Sequence, residues 1–198
     1  SNTIVDHGID IEKFKCSKKK KRQIISSSQL IYRKNVDGII RIFAKLHAHK
    51  EYDDIELIIA GRGDEENVLK ALVNDLNLDE YVKFVGFLSQ AKLNEYIRYS
   101  LCFLVNTRQD LNMVSIPESI VSGTPILTNM IPASAGYIKQ AKLGIAKNHW
   151  TENEIIEIID NNSSYVENCL KYKDKLSSKH SAQLLIDLFM RYKNGTKA

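Results

Sequence analysis

Asp110 and Glu118 stand eight positions apart in the stretch RQDLNMVSIPESIVSGTPIL, Arg108 to Leu127. Two acids at that spacing fit two descriptions: a working pair in an active site, or solvent-facing carboxylates beside a helix. Between them polar and apolar residues alternate without a helical or strand period, and Pro117 immediately precedes the second acid. Proline is well tolerated in a first turn, so a helix is predicted to begin between Val114 and Pro117. The backbone amides near Asn112 to Ser115 then lack intrahelical partners and carry the positive end of the helix dipole, an arrangement that attracts anions. Glu118, in the first turn, is favoured by the same dipole, so helix stabilisation alone accounts for it. Spacing by itself leaves both descriptions open.

The elements around this segment decide where it can act. QIISSS (Gln23 to Ser28) is a short apolar run closed by small residues, and VDGIIRIFAKLH (Val36 to His47) sets Ile39, Ile40, Phe43 and Leu46 on one helical stripe. IELIIAGRGD (Ile55 to Asp64) is a second apolar run, rich in β-branched residues, that stops at a Gly-x-Gly turn before the helical period of EENVLKALVNDLNL. YVKFVGF alternates into Gly86, Ser89 is an expected N-cap, and AKLNEYIRYS makes a short amphipathic helix. LCFLVNT (Leu101 to Thr107) is almost continuously apolar, as a parallel strand covered on both faces must be. Further on come a short buried strand in TPILTN, a helix in ASAGYIKQAK, a weak edge strand in LGIAKN, and a helical period from Thr151 to Lys193. About six strands alternating with helices argue for an α/β fold, a Rossmann-like doubly wound parallel sheet with C-terminal helices. Ligands of such sheets bind beyond the carboxyl ends of the strands, which places residues 28–34, 61–64, 86–90, 106–115 and 129–134 on one rim. The segment carrying Asp110 and Glu118 is therefore on the ligand side.

Composition narrows the class. A chain of 198 residues with 43% hydrophobic content can bury a core. The net charge of +4 is mild and gathers in KCSKKKKRQ (Lys15 to Gln23), against the patterned basic face of a nucleic-acid binder. The run Lys18 to Arg22 is expected to be a solvated linker, with contact to an anionic membrane surface as the alternative. Cys16, Cys102 and Cys169 are odd in number and lack a CxxC, so neither a disulfide framework nor a zinc site is expected, and a cytoplasmic setting fits. His47 and His49 lie two apart on a helix and point to different faces, which argues against a metal pair. The Gly61-Arg62-Gly63 turn lacks the third glycine of a dinucleotide fingerprint. No apolar run is long enough to span a bilayer, and the chain reads as a fragment whose opening NTIVDHG is a strand already under way.

The order of these segments resembles the nucleotide-sugar-binding half of the retaining GT-B glycosyltransferases of family 4, the group 1 type. The resemblance rests on HGIDIEKF (His7 to Phe14), SQLIYRK (Ser28 to Lys34), LIIAGRGDEENVLKALVNDLNL, VKFVGFLS and DLNMVSIPESIVSGTP, in order over residues 4–160. It implies a donor site for a nucleoside diphosphate sugar, with UDP-linked sugars favoured and no metal required. Asp110 matches the acid that approaches the donor sugar and Glu118 the acid that takes the ribose hydroxyls; a carboxylate suits either task because it accepts from two neighbouring hydroxyls. Lys34 matches the lysine on the diphosphate, helped by amides around Asn112, Met113 and Val114. The base would lie against the turn from Gly86 through Leu88 to Ser89.

This chain departs from the pattern in four places. The first acid is aspartate rather than glutamate, LNM replaces a Gly-Phe-Gly, Gln29 stands where an arginine is expected, leaving Arg33 to compensate, and His7 replaces an asparagine. The resemblance divides the chain into an opening strand and basic linker (residues 1–22), a donor-binding domain (23–160) and C-terminal helices (161–198). It also implies an N-terminal acceptor domain that this chain is expected to lack. The helix SAQLLIDLFMRYK (Ser181 to Lys193) is expected to pack its apolar stripe on this domain or on the absent one. The expected function is transfer of a hexose-type sugar to a glycan or lipid-linked acceptor in polysaccharide, capsule or glycoconjugate synthesis, at the inner face of the cell membrane. The fragment alone is expected to be inactive. The alternative is a non-catalytic nucleotide or nucleotide-sugar binding module; a receiver-like signalling domain is disfavoured because SSSQLIYRK is basic where such a domain needs acids.

Overall fold

The computed structural model of the chain describes residues 8–193; His7 and the preceding residues of the predicted opening strand lie outside the described residues. Six strands form one parallel sheet: β1 (Gln23–Ser27), β2 (Glu56–Ala60), β3 (Val82–Gly86), β4 (Phe103–Val105), β5 (Ile126–Thr128) and β6 (Gly144–Ala146), in the order β3-β2-β1-β4-β5-β6. The helices are α1 (Val36–His47), α2 (Glu66–Asp75), α3 (Gln90–Tyr99), α4 (Ser115–Val121), α5 (Ala135–Gln140), α6 (Glu152–Asp160), α7 (Asn162–Tyr172) and α8 (Ser178–Lys193). The predicted doubly wound α/β sheet is thus the observed architecture, with LGIAKN supplying the edge strand β6.

Alternation along the strands explains the two-sided burial. Successive strand side chains point to opposite faces, so a continuous apolar run needs cover on both. Ile24 and Ile25 are both fully buried. Ile24 joins a core with Ile40 and Phe43 of α1, Leu69 of α2 and Ile155 of α6. Ile25 joins the opposite core with Ile97 of α3, Ile120 of α4, Ile138 of α5 and Cys169 of α7.

The strand order reverses direction between β1 and β4, which are neighbours although two strands separate them in the chain. Connections leaving these two strands run to opposite faces, and the crevice between them is where doubly wound sheets take ligands. Here the loops are pinned together: the Arg108 amide donates to the Arg33 carbonyl at 2.8 Å. A second approach lies beside it. Gly61 has φ 134°, and a Cβ there would stand 1.8 Å from the Ser28 carbonyl oxygen. The glycines of Gly61-Arg62-Gly63 therefore let the loop after β2 touch the loop after β1, where the Leu30 amide donates to the Arg62 carbonyl at 2.9 Å.

One expectation needs correction. The basic run is not a solvated linker throughout: the Lys20 ammonium donates to the carbonyls of Arg98 at 2.9 Å and Gly123 at 2.7 Å and to the Thr124 hydroxyl at 3.0 Å. These carbonyls lie at the C-terminal ends of α3 and α4, where helix oxygens lack partners and a cation is favoured. Burial lowers the Lys20 pKa to about 8. Lys21 lies over the Tyr99 ring at 5.4 Å and Arg22 pairs with Asp54 at 2.5 Å. For the last helix, one of the two expected packings is narrowed: α8 buries no residue against the described part of this domain and leaves Leu185 at 56% and Phe189 at 64% exposure.

Candidate functional site

Three of the residues singled out in the sequence converge at the switch between β1 and β4. After β1 the chain makes a 3-10 turn over Tyr32–Lys34, closed by Asn35 in the left-handed region at φ 53°. This turn presents Arg33 and Lys34 to the loop after β4. There the Thr107 hydroxyl oxygen accepts from the Asp110 amide at 3.0 Å and from the Gln109 amide at 3.3 Å, a local turn that serine and threonine side chains favour. The turn holds the Asp110 carboxylate against both cations, with Oδ2 at 2.8 Å from Lys34 Nζ and Oδ1 at 3.2 Å from Arg33 Nε. The Thr107 hydroxyl has one hydrogen and lies 2.9 Å from Asp110 Oδ2 and 3.2 Å from the Arg33 carbonyl. The shorter, charge-assisted contact to the carboxylate is the better use of it.

The electrostatics follow from enclosure. The Lys34 and Asp110 side chains are only 14% and 12% exposed, whereas Arg33 is 48% exposed. Burial favours the neutral form of the Asp110 carboxyl, but the Lys34 ammonium, the Thr107 hydroxyl and the Arg33 guanidinium outweigh it and hold its pKa below the ordinary carboxylate value. Arg108, next in the chain to Thr107, is committed elsewhere: it donates to the Tyr32 carbonyl, stacks on the Tyr32 ring at 4.0 Å and pairs with Asp37 at 3.2 Å.

Glu118 stands apart from this cluster. It lies in the first turn of α4, which starts at Ser115 and carries Pro117 one residue ahead of the acid, within the predicted start. Its Oε1 accepts from the Gln90 side-chain Nε2 at 3.2 Å, and burial raises its pKa, a shift that the Gln90 hydrogen bond only partly offsets. Asp110 and Glu118 share no hydrogen bond among the described residues, so they are not a directly coupled acid pair. Between them, no described group accepts from the amides of Asn112, Met113 and Val114. Asn112 and Val114 are exposed, whereas Met113 packs partly against the core that holds Ile116.

On the same rim, between the loops after β1, β2 and β3, opens a crevice of about 540 Å³, lined among others by Ser28, Gln29, Gly61, Arg62, Phe87 and Leu88. Gln29 and Leu88 of the sequence reading fall on it directly. Gly86, at φ 67°, ends β3 at its edge, where the Gly61 amide donates to the Gly86 carbonyl at 2.8 Å. Ser89 caps α3, accepting from the Lys92 amide at 3.4 Å, and so fixes how Gln90 leaves the turn towards Glu118.

Thr107, Gln90, Arg62 and Phe87 lie on rim segments that the sequence placed, but none of them was given a role of its own. Thr107 carried a usable signal, a polar residue ending an apolar strand. Phe87 is 79% exposed directly after a strand, a position where an apolar side chain invites a ligand. Gln90 was placed on the rim, with nothing in the sequence to point it at Glu118. Among the described residues no group of three or more His, Cys, Asp and Glu side chains is placed to hold a metal ion, and no helix is long and apolar enough to cross a membrane.

Known proteins share this arrangement of segments. The family model described as glycosyl transferases group 1 matches residues 9–176. The chain is 26% identical over 123 residues to an alpha-monoglucosyldiacylglycerol synthase of Streptococcus pneumoniae, covering 62% of this chain and 27% of that protein. It is 28% identical over 181 residues to the GtfA subunit of a UDP-N-acetylglucosamine–peptide N-acetylglucosaminyltransferase of Limosilactobacillus reuteri, covering 91% of this chain and 30% of that protein. Its fold is similar to S. aureus TarM, solved as a point mutant in complex with fondaparinux, alpha-GlcNAc-glycerol and UDP, with a TM-score of 0.75 at 16% identity over 94% of this chain and 39% of TarM. The chain thus spans about a quarter to a third of the length of the curated relatives it matches.

Proposed function

This chain belongs to the glycosyl transferases group 1, and we propose that it is the nucleotide-sugar-binding half of an enzyme that transfers a hexose-type sugar from a UDP-linked donor to a glycan or lipid-linked acceptor. The observation that carries this reading is the pair of cations, Arg33 and Lys34, held at the switch between β1 and β4 on the rim that also bears the 540 Å³ crevice. In this reading the diphosphate lies on the two cations, with the amides of Asn112, Met113 and Val114 as further donors. The ribose hydroxyls meet Glu118. The base occupies the crevice against Gly86, Leu88 and Gln29. The TarM structure contains UDP, which supports a uridine nucleotide.

The chemistry breaks the bond between the anomeric carbon and the diphosphate oxygen and forms one from that carbon to an acceptor hydroxyl oxygen, which gives up its proton, with retention at the anomeric carbon. Negative charge grows on the departing diphosphate, and fixed cations in a partly enclosed site stabilise it without reorganising. On this reading Lys34 and Arg33 supply that charge and no metal is required. Asp110 contacts the donor sugar. The acceptor would be held by the part of the relatives that this chain does not span, so the chain alone is expected to bind donor and not to transfer it. The diacylglycerol-directed and peptide-directed relatives suggest both lipid and glycoconjugate acceptors.

A second reading, a non-catalytic nucleotide-binding module, is favoured by the glycine-free LNM segment, whose side chains limit close backbone approach to a ligand. Calorimetric titration of the chain with UDP and GDP tests the donor site. UDP is expected to saturate it, and Lys34→Gln to weaken binding by roughly ten-fold or more, as loss of one charge-assisted contact implies. Failure of every nucleoside diphosphate to bind at millimolar concentration would sink the proposal, while binding without transfer by the longer parent protein would select the module.

A further inference from the structure

We propose that Asp110 is the internal counter-ion of the diphosphate subsite, and that a diphosphate binds by displacing its carboxylate from Lys34 and Arg33. This rests on the donor-site reading and adds a second role for the same residue. Both carboxylate oxygens are engaged: Oδ1 faces Arg33 at 3.2 Å, and Oδ2 faces Lys34 at 2.8 Å and the Thr107 hydroxyl at 2.9 Å. Among the described residues these cations have no second carboxylate, and the nearby Asp37 is paired with Arg108. A phosphate arriving at Lys34 therefore meets a negative charge already seated there, where Lys34 and Asp110 are both largely enclosed. Two anions at such range repel strongly. Either the ligand fails to engage the cations or Asp110 yields.

The carboxylate can yield without the whole loop moving. The backbone is tied on either side of Asp110, by the Arg108 amide to the Arg33 carbonyl at 2.8 Å, the Asn129 side-chain amide to the Thr107 carbonyl at 2.5 Å and the Ala133 amide to the Leu111 carbonyl at 2.9 Å, while Gln109, Leu111, Asn112 and Val114 are exposed. Aspartate also suits the role better than glutamate would: with a single methylene, its carboxylate stays beside the turn made by its own amide and Thr107. Exchange of one anion for another has a consequence for the reaction. The diphosphate takes over Lys34 and Arg33, and the freed carboxylate becomes available to the sugar hydroxyls next to it. Donor binding and release of Asp110 are then one event.

The test is calorimetric titration of the whole chain with inorganic pyrophosphate, UDP and uridine, comparing wild type with Asp110→Asn, Lys34→Gln and the double variant. Asp64→Asn, on the same rim but outside the cluster, controls for net charge. Asp110→Asn is expected to tighten pyrophosphate and UDP by about ten-fold, the size of one lost charge contact, and to leave uridine unchanged. The gain should vanish in the Lys34→Gln background and be missing from Asp64→Asn. If wild type binds UDP and Asp110→Asn binds it no better, or gains equally in every background and for uridine, the counter-ion role is overturned while the donor site stands. If none of these proteins binds UDP or pyrophosphate, the donor site and the counter-ion fall together.

Discussion

Glu118 is a carboxylate kept where it costs stability. Burial raises its pKa, and its hydrogen bond from Gln90 offsets only part of the shift. An acid whose folded pKa lies above its unfolded one is most favourable to folding when protonated. Its contribution is best below the unfolded pKa and is lost as pH rises through the raised folded value. At neutral pH the charged form is therefore a net burden, and Glu118→Gln is expected to leave the unfolding midpoint unchanged or slightly higher. The same substitution should weaken UDP binding, because the amide presents one acceptor oxygen where the carboxylate presents two. Thermal unfolding and calorimetry on one preparation check both halves; a loss of stability alongside unchanged UDP affinity would reassign Glu118 to simple helix stabilisation. Asp110 differs, since its partners hold its pKa down against burial. Two acids eight residues apart thus sit in opposite electrostatic surroundings, and spacing carried no hint of that.

At the scale of elements, two glycines make contrasting predictions. Gly61 joins the loop after β2 to the loop after β1 at φ 134°, and a Cβ there would overlap the Ser28 carbonyl oxygen at 1.8 Å. Gly61→Ala is expected to cost about 3 kcal/mol or more in urea unfolding, and to widen the crevice that Arg62 and Gln29 line. Gly136 lies in α5 with nothing within 4 Å of its added Cβ. Gly136→Ala should stabilise by about 0.5–1 kcal/mol through lower unfolded-chain entropy and better helix propensity. Equal effects at the two positions would show that close approach of the two loops is not what Gly61 provides. The elements themselves were readable because each advertised its period. The stripe of Val36 to His47 became α1 with those bounds, and Ser89 capped α3 as its position before AKLNEYIRYS indicated. Within the basic run, otherwise exposed, Lys20 alone was misread, because charge density does not reveal that three oxygens near two helix ends await it.

At the scale of the molecule, the terminal helix is the part that does not belong to the core. Among the described residues α8 buries none, while Leu176, two residues before it, is buried and the Ser178 amide donates to the Ile9 carbonyl at 2.9 Å. Ending the chain after Ala182 keeps that bridge and removes the exposed stripe. The truncated chain is expected to keep its unfolding midpoint and its UDP affinity; a fall in the midpoint would mean that α8 supports the domain through contacts other than burial. The amino-acid sequence determined the strand and helix alternation, the sheet class and the rim on which the chemistry sits, because hydrophobic period and turn residues are local properties. The segment from Arg108 to Leu127 itself marked Asp110 and Glu118, and the family resemblance added Lys34 and Arg33. Only the tertiary structure decided how they meet: Asp110 is drawn onto Lys34 and Arg33 across the β1–β4 switch, Glu118 turns to Gln90, and Thr107 orients the first acid. Those contacts join residues far apart in the chain across adjacent strands, and the pairing of β1 with β4 that creates them is a property of the whole sheet rather than of any segment within it.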